Sequence, residues 1–178
     1  IERAQGTSDT LTGSLGSDDF TSVDSRAVTA NGIEFTLVEN AQNFTRVIGN
    51  GGNDTLTANA QVALLGDRSV SLAGVEFTQL TTVADASLLG LANASDNLAL
   101  IGQTTLDTQN LTFTNISHVD GNGGSDAVTG GDVWTLTGGS GNARSLGVSF
   151  AGIDSAQGAG TELVGSAGSD AFSLVGDT

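Results

Sequence analysis

Short stretches of alternating hydrophobic and polar residues recur along the chain. Four of them place an apolar residue two positions before a Phe, with a polar residue between: Ile33 and Phe35, Val75 and Phe77, Leu111 and Phe113, Val148 and Phe150. A spacing of two places both side chains on the same face of a β-strand. Gly, Asn, Asp and Ser bound the stretches, which is typical of short strands joined by turns. The pattern predicts an all-β protein.

The Phe motif recurs at a nearly constant interval. Its four Phe residues are 42, 36 and 37 residues apart. The segment Ile1–Gln5 also matches Ile153–Gln157, so we expect residues 1–178 to be one repetitive domain excerpted from a larger protein. Self-similarity at such a period is the signature of a stacked-repeat architecture.

A second motif, Gly-x-x-Gly-x-Asp-x-apolar, alternates with the first. Its copies are Gly13–Phe20, Gly49–Leu56, Gly121–Val128 and Gly165–Phe172, with degenerate copies at 6–11 and 91–98. The alternation gives half-repeats of about twenty residues, near the length of one solenoid turn. We therefore predict a parallel β-solenoid (β-helix), right-handed, with coils of about twenty residues. One larger coil of nearly forty residues is the alternative.

Stacking explains how such short strands could be stable. Strands of four or five residues cannot bury a core alone, whereas coils stacked about 4.8 Å apart bury a continuous one. We expect like residues to stack, Phe on Phe. The chain contains no Pro, which fits interior strands that all need their amide hydrogens.

The composition of the chain excludes several classes of binding partner. The chain carries 20 acidic and 5 basic residues, a net charge of −15. It lacks the basic stripe that nucleic acids require, and an anionic membrane surface would repel it. We expect neither nucleic-acid binding nor membrane insertion. Without Cys, disulfides and thiolate metal sites are impossible. The acidity makes divalent cations plausible partners.

The Asp turns resemble the calcium-binding nonapeptide of repeats-in-toxin proteins. In that family, tandem Gly-Gly-x-Gly-x-Asp-x-apolar-x units form a β-roll in which successive turns share Ca²⁺. The resemblance makes Asp9, Asp18, Asp54 and Asp126 the candidate Ca²⁺ ligands. Only Asp9 and Asp18 are nine residues apart, however. The favoured interpretation is that each Asp accepts hydrogen bonds from amides of its own turn, with no cofactor required.

Few residues suggest catalysis. The single His, His118, faces away from its apolar neighbours by alternation, so we expect it to be exposed and not catalytic. Asp18–Asp19 and the pair Glu34 and Glu76 are the only suggestive carboxylates, and the two Glu are interpreted as one exposed charged column. The single Trp, Trp134, is expected to pack in the core or at an edge. We predict no catalytic residue and no enzymatic activity.

Four pairs of threonines two residues apart are a separate feature of the sequence. They are Thr10/Thr12, Thr55/Thr57, Thr112/Thr114 and Thr135/Thr137. Regular threonine ladders on solenoids can bind ice. Here the pairs fall at different positions of the repeat and skip coils, so the sequence argues against such a ladder.

As a whole, the chain resembles the β-strand-repeat regions of large bacterial secreted adhesins, filamentous-haemagglutinin-like or repeats-in-toxin-like. The resemblance implies a structural stalk or passenger region of a secreted or cell-surface protein. Its partners would be neighbouring repeats of the same chain, with surface glycans or host-cell surfaces at the adhesive end. The alternative is a calcium-binding repeat module appended to an extracellular protein or polysaccharide enzyme.

Overall fold

The computed structural model describes residues 3–6, 10–24, 27–37, 44–158 and 162–168. In these ranges the regular structure consists of strands, and no helix suited to crossing a membrane is found there. The strands are β1 (Arg3–Gly6), β2 (Thr10–Thr12), β3 (Asp19–Asp24), β4 (Ala27–Ala30), β5 (Ile33–Leu37), β6 (Arg46–Ile48), β7 (Thr55–Thr57), β8 (Gln61–Gly66), β9 (Ser69–Leu72), β10 (Val75–Thr78), β11 (Thr82–Ala84), β12 (Ser87–Leu89), β13 (Asn97–Gly102), β14 (Thr105–Thr108), β15 (Leu111–Thr114), β16 (His118–Asp120), β17 (Ala127–Gly130), β18 (Val133–Leu136), β19 (Ala143–Ser145), β20 (Val148–Ala151), β21 (Ser155–Gln157) and β22 (Glu162–Val164).

The strands form two sheets of eleven strands each. Sheet A has the order β1-β5-β4-β3-β7-β11-β15-β14-β13-β17-β21, and sheet B has the order β2-β6-β10-β9-β8-β12-β16-β20-β19-β18-β22. The chain passes back and forth between the sheets and stacks into a solenoid of about four turns. The prediction of an all-β solenoid with parallel stacked coils is therefore confirmed. The handedness and the extent of the domain stay predictions.

Each repeat begins with a three-stranded antiparallel meander, which the sequence did not predict. The meanders are β3–β4–β5, β8–β9–β10, β13–β14–β15 and β18–β19–β20. Two single strands follow each meander and pair in parallel with strands of neighbouring repeats, as β6 does with β2 and β10. Successive meanders lie in opposite sheets.

This alternation corrects two expectations. The motif Phe residues do not stack on one another, because Phe35 and Phe113 lie in sheet A whereas Phe77 lies in sheet B. Phe77 instead stands between Val47 and Val70 of its own sheet. Glu34 and Glu76 likewise lie in opposite sheets, so they form no charged column.

The core fills the space between the two sheets. Alternate residues of most strands point inward and are buried, as are Leu80 and Ile116 just after β10 and β15. The largest completely buried side chains are Phe20, Phe77, Phe113, Leu56, Leu80, Leu88, Leu98, Leu106, Leu111 and Ile116. Each such side chain contributes about 1.5–3 kcal/mol when buried. The intervening residues point outward, so each sheet presents one solvent face. The corners where the chain changes sheet carry the Asp turns.

Candidate functional site

The Asp turns lie at one edge of the solenoid, where the chain passes from sheet B into sheet A. Asp18, Asp54, Asp96 and Asp126 directly precede β3, β7, β13 and β17, and their exposed fractions are 3%, 0%, 0% and 1%. We call these four residues the aspartate edge. Because strands β3, β7, β13 and β17 run in the same direction, their turns lie on the same side of sheet A. Asp9, the remaining candidate ligand, lies outside the described residues.

The carboxylates of the aspartate edge join neighbouring coils. The amide of Asp18 donates a hydrogen bond to Oδ1 of Asp54 at 2.9 Å. Further along, the amide of Asp96 donates to Oδ1 of Asp126 at 2.9 Å. The amide of Asp126 in turn donates to Oδ2 of Asp154 at 2.8 Å. Each of these bonds links turns that are 28 to 36 residues apart in sequence, so the side chains connect successive turns of the fold.

Two of the carboxylates also cap their own turns. Oδ2 of Asp18 accepts a hydrogen bond from the amide of Ser14 at 2.6 Å. Oδ2 of Asp96 accepts the equivalent bond from the amide of Leu91 at 2.7 Å. A carboxylate that accepts amide hydrogens in this way satisfies donors that would otherwise be lost to the turn. These bonds support turn capping at Asp18 and Asp96.

The first Gly of the motif is required by close approach. A Cβ at position 49 would collide with the carboxylate of Asp54 and would lie 2.7 Å from the carbonyl oxygen of Gln79. The same holds at Gly121, whose Cβ would collide with Asp126 and lie 2.5 Å from the carbonyl oxygen of Gly152. The Gly therefore makes room both for its own Asp and for the next coil.

Asp18 and Asp96 differ in one partner. The side-chain amide of Asn31 donates to Oδ1 of Asp18 at 2.6 Å, and its oxygen accepts the amide of Asp19 at 2.8 Å. At the matching position of the third meander, two residues before Leu111, the chain has Gln109 instead of Asn. Oδ1 of Asp96 is buried without a hydrogen-bond partner. A buried polar atom without a partner is costly, so this turn is the weaker of the two.

Burial raises the pKa of two of these carboxyl groups. Desolvation raises the pKa of Asp54 above its ordinary value of 3.8, and the nearby Asp18 adds to the rise, against the opposing effect of the Asp18 amide. Desolvation likewise raises the pKa of Asp96, with Asp126 adding to it and the Leu91 amide opposing it. The charged form is thus disfavoured at both sites.

The described carboxylates fit a shared Ca²⁺ poorly. Asp18 uses both oxygens for hydrogen bonds, whereas Oδ2 of Asp54 and of Asp126 lies buried beside a glycine without a hydrogen-bond partner. Within the ranges described, no group of three or more His, Cys, Asp or Glu residues is placed to hold a metal ion. The geometry favours the capping interpretation of the Asp turns, and calcium binding stays a prediction.

The other candidate residues are dispersed. His118 lies on the outer face of sheet B opposite Ser149, as the alternation predicted, but it is half-buried rather than exposed. Asp18 and Asp19 are separated by the strand alternation, since Asp18 is buried and Asp19 exposed. Trp134 packs in the core with its ring 5.4 Å from that of Phe150, which confirms its predicted structural position.

A polar groove lies at the opposite corner, where the chain passes from sheet A to sheet B. It has a volume of about 380 Å³, and its lining includes Asn59, Gln61, Asp85, Ser87 and Asn115. The side-chain amide of Asn115 donates a hydrogen bond to Asp85. Two of the polar groups of this groove are thus already paired with each other.

Sequence reasoning missed Asn31 and Asp154. Asn31 has a positive φ of 49° directly before Gly32, and an Asn-Gly pair in a turn was the available signal. Asp154 extends the line of coil-to-coil bonds although its segment lacks the glycine motif. Its signal was the match between Ile153–Gln157 and Ile1–Gln5.

Substituting Gln109→Asn should stabilise the protein. The Asn side chain would reach Oδ1 of Asp96 as Asn31 reaches Asp18, and Asn tolerates the positive φ of 50° at this position better than Gln. We expect the free energy of unfolding to increase by about 1 kcal/mol. The matched variant Asn31→Gln should decrease it. Chemical denaturation measures both, and equal effects of the two substitutions would contradict the prediction.

The raised pKa of a buried carboxyl group should increase the free energy of unfolding as the pH is lowered. Because the pKa of Asp96 is raised in the folded state, its contribution is fully present below pH 3.8 and is lost as the pH rises through the folded value. The variant Asp96→Asn, which cannot ionise, should show a smaller gain in stability than the parent chain as the pH is lowered from 7 to 3.8. The exposed Asp19→Asn serves as control. Similar pH profiles for Asp96→Asn and the parent chain would refute the assignment.

Calcium binding can be tested directly by isothermal titration calorimetry. Since no three carboxylates of the described residues converge on one point, we expect no saturable heat with Ca²⁺. We also expect the same melting temperature in Ca²⁺ and in chelator. A saturable heat together with a chelator-sensitive rise in melting temperature would instead support the calcium module.

Comparison with known proteins gives no relative for this chain. No family model matches the sequence, and the searches of curated proteins and of solved structures find no match. The resemblance to bacterial adhesins therefore depends on the style of the repeats, and the function has to be argued from the geometry.

Proposed function

We propose that this chain is a structural stalk or passenger repeat region of a secreted or cell-surface bacterial adhesin. The observation that carries the proposal is the way each repeat covers its neighbours. Strands of one repeat pair with strands of the next in both sheets, and the buried side chains form one continuous cluster. Such a fold gains length with each repeat added and keeps the same cross-section.

The dimensions suit an extended spacer. With strands about 4.8 Å apart, eleven strands per sheet span about 48 Å along the axis. Two consecutive repeats occupy 72 residues, from Gln61 to Asp132, and add five strands to each sheet. That corresponds to about 24 Å of length per pair of repeats. A stalk of any required reach could be made by adding pairs.

The surface is consistent with an extracellular spacer. A net charge of −15 keeps neighbouring rods apart and soluble through mutual repulsion. The Asp residues of the aspartate edge serve the stacking of coils, since they connect turns of successive repeats. Under this proposal the partners of the chain are its own neighbouring repeats, and adhesion to glycans or host surfaces belongs to another part of the protein.

Deleting residues 61–132 tests the proposal. The deletion removes β8 to β17 and joins β7 to β18, so the next meander still lies in sheet B. We expect a folded protein whose maximum dimension in small-angle X-ray scattering is shorter by about 24 Å. Circular dichroism should keep its β-sheet character.

A deletion of residues 61–96 is the matched control. It removes one repeat instead of two, so the third meander would have to enter sheet B through a corner built for sheet A. We expect this variant to melt at a lower temperature than the 72-residue deletion. Loss of folding in the 72-residue deletion, or an unchanged maximum dimension, would overturn the stalk proposal.

A further inference from the structure

The outer face of sheet A carries a regular array of threonines. In β7, β11 and β15, Thr55, Thr82 and Thr112 are directly opposite one another in the parallel register. A second line runs beside it and consists of Thr29, Thr21, Thr57, Ala84 and Thr114. The residues between the two lines are Phe20, Leu56, Val83 and Phe113, and all are completely buried. We call the seven threonines and Ala84 the threonine face.

This array corrects the expectation from sequence. The pairs Thr55/Thr57 and Thr112/Thr114 are 57 residues apart and occupy different positions of the repeat. The chain nevertheless brings them into one register, because β11 lies between β7 and β15 and pairs with both. Thr10/Thr12 and Thr135 lie in sheet B and are not part of the array.

The threonine face is held in a fixed geometry. Strands β3, β7, β11 and β15 are consecutive and parallel, so neighbouring threonines of one line lie about 4.8 Å apart. The two lines are two residues apart along each strand, or about 6.6 Å. Threonine is β-branched and stiff at χ1, so its hydroxyl and methyl groups are held close to these lattice positions.

The eight residues of the threonine face carry no charge themselves, although the protein is strongly acidic. Acidic residues border the threonine face: Asp19 and Asp107 stand at the two ends of the first line, and Glu34 is opposite Thr29 at one end of the second. The outer face of sheet B differs, since it carries the Arg46–Glu76 ion pair at 3.7 Å, together with His118 and Arg144. Within the two lines themselves the groups on offer are uncharged and periodic, which suits a neutral, periodic ligand.

From this array we infer that the threonine face binds ice. A hydroxyl offers one donor and two acceptor positions, so it can join a network of water molecules without a net charge. The methyl groups beside it order the water that covers them. Two rigid lines of such groups can hold water in a periodic arrangement that a growing ice surface can share. The aromatic rings of these strands, Phe20 and Phe113, are buried and offer no stacking surface to a polysaccharide.

The inference does not depend on the stalk proposal. Ice binding requires only the outer face of sheet A, whereas the stalk requires the stacking of repeats. If the deletion shortens the protein as expected but the parent chain does not bind ice, the stalk proposal stands and the ice-binding inference is wrong.

The test uses ice itself as the probe and the 178-residue chain as the protein. Adsorption to a slowly growing ice surface is measured together with thermal hysteresis, the gap between melting and freezing temperature. Thr82→Lys places a charge at the centre of the array. Ser71→Lys places the same charge on the outer face of sheet B, opposite Glu76. Melting curves monitor the folding of each variant.

We expect the parent chain and Ser71→Lys to adsorb to ice and to show hysteresis, and Thr82→Lys to lose both while it stays folded. If Thr82→Lys fails to fold, Thr112→Lys replaces it with the same expected loss. The inference is overturned if the parent chain is excluded from ice, or if the two Lys variants lose activity equally. Binding to crystalline cellulose or chitin without adsorption to ice would overturn it as well.

Discussion

Backbone hydrogen bonds along the long axis are the interaction on which this structure depends. Every strand is three to six residues long, too short to be stable without neighbours on both sides. The hydrogen-bond ladders of the two sheets supply those neighbours. Both sheets extend along the axis by the same number of strands, so the core between them is covered on both sides. The aspartate edge adds side-chain bonds in the same direction, so that Asp54 and Asp126 accept amides from the adjoining coil.

The local pattern of the sequence was sufficient to predict strands but not their arrangement. The alternation around Phe77 and Phe113 depends only on the period of two in a strand, and both side chains are buried as expected. The same pattern also occurs in β9 and β14, the middle strands of meanders. Alternation cannot distinguish a strand that reverses within a sheet from one that crosses to the other sheet, so the antiparallel meanders were missed.

In the candidate site, too, features that depend on neighbouring residues could be predicted, whereas contacts between distant residues could not. Asp18 and Asp54 could be placed in turns because Gly and Asp favour turns wherever they occur. The partner of Asp18, by contrast, is Asn31, which lies thirteen residues away and is brought close by a hairpin. The threonine face also depends on pairings between distant strands. Such contacts follow from strand register, which a single sequence did not reveal.

The alternation of meanders between sheets has a consequence for how such a protein can grow in evolution. Tandem duplication of one repeat would transfer every later meander to the other side of the rod and exchange the surfaces displayed there. Duplication of a pair preserves both surfaces. The heritable unit is therefore the pair of about 72 residues, and selection can act on one side, such as the threonine face, while the other side diverges.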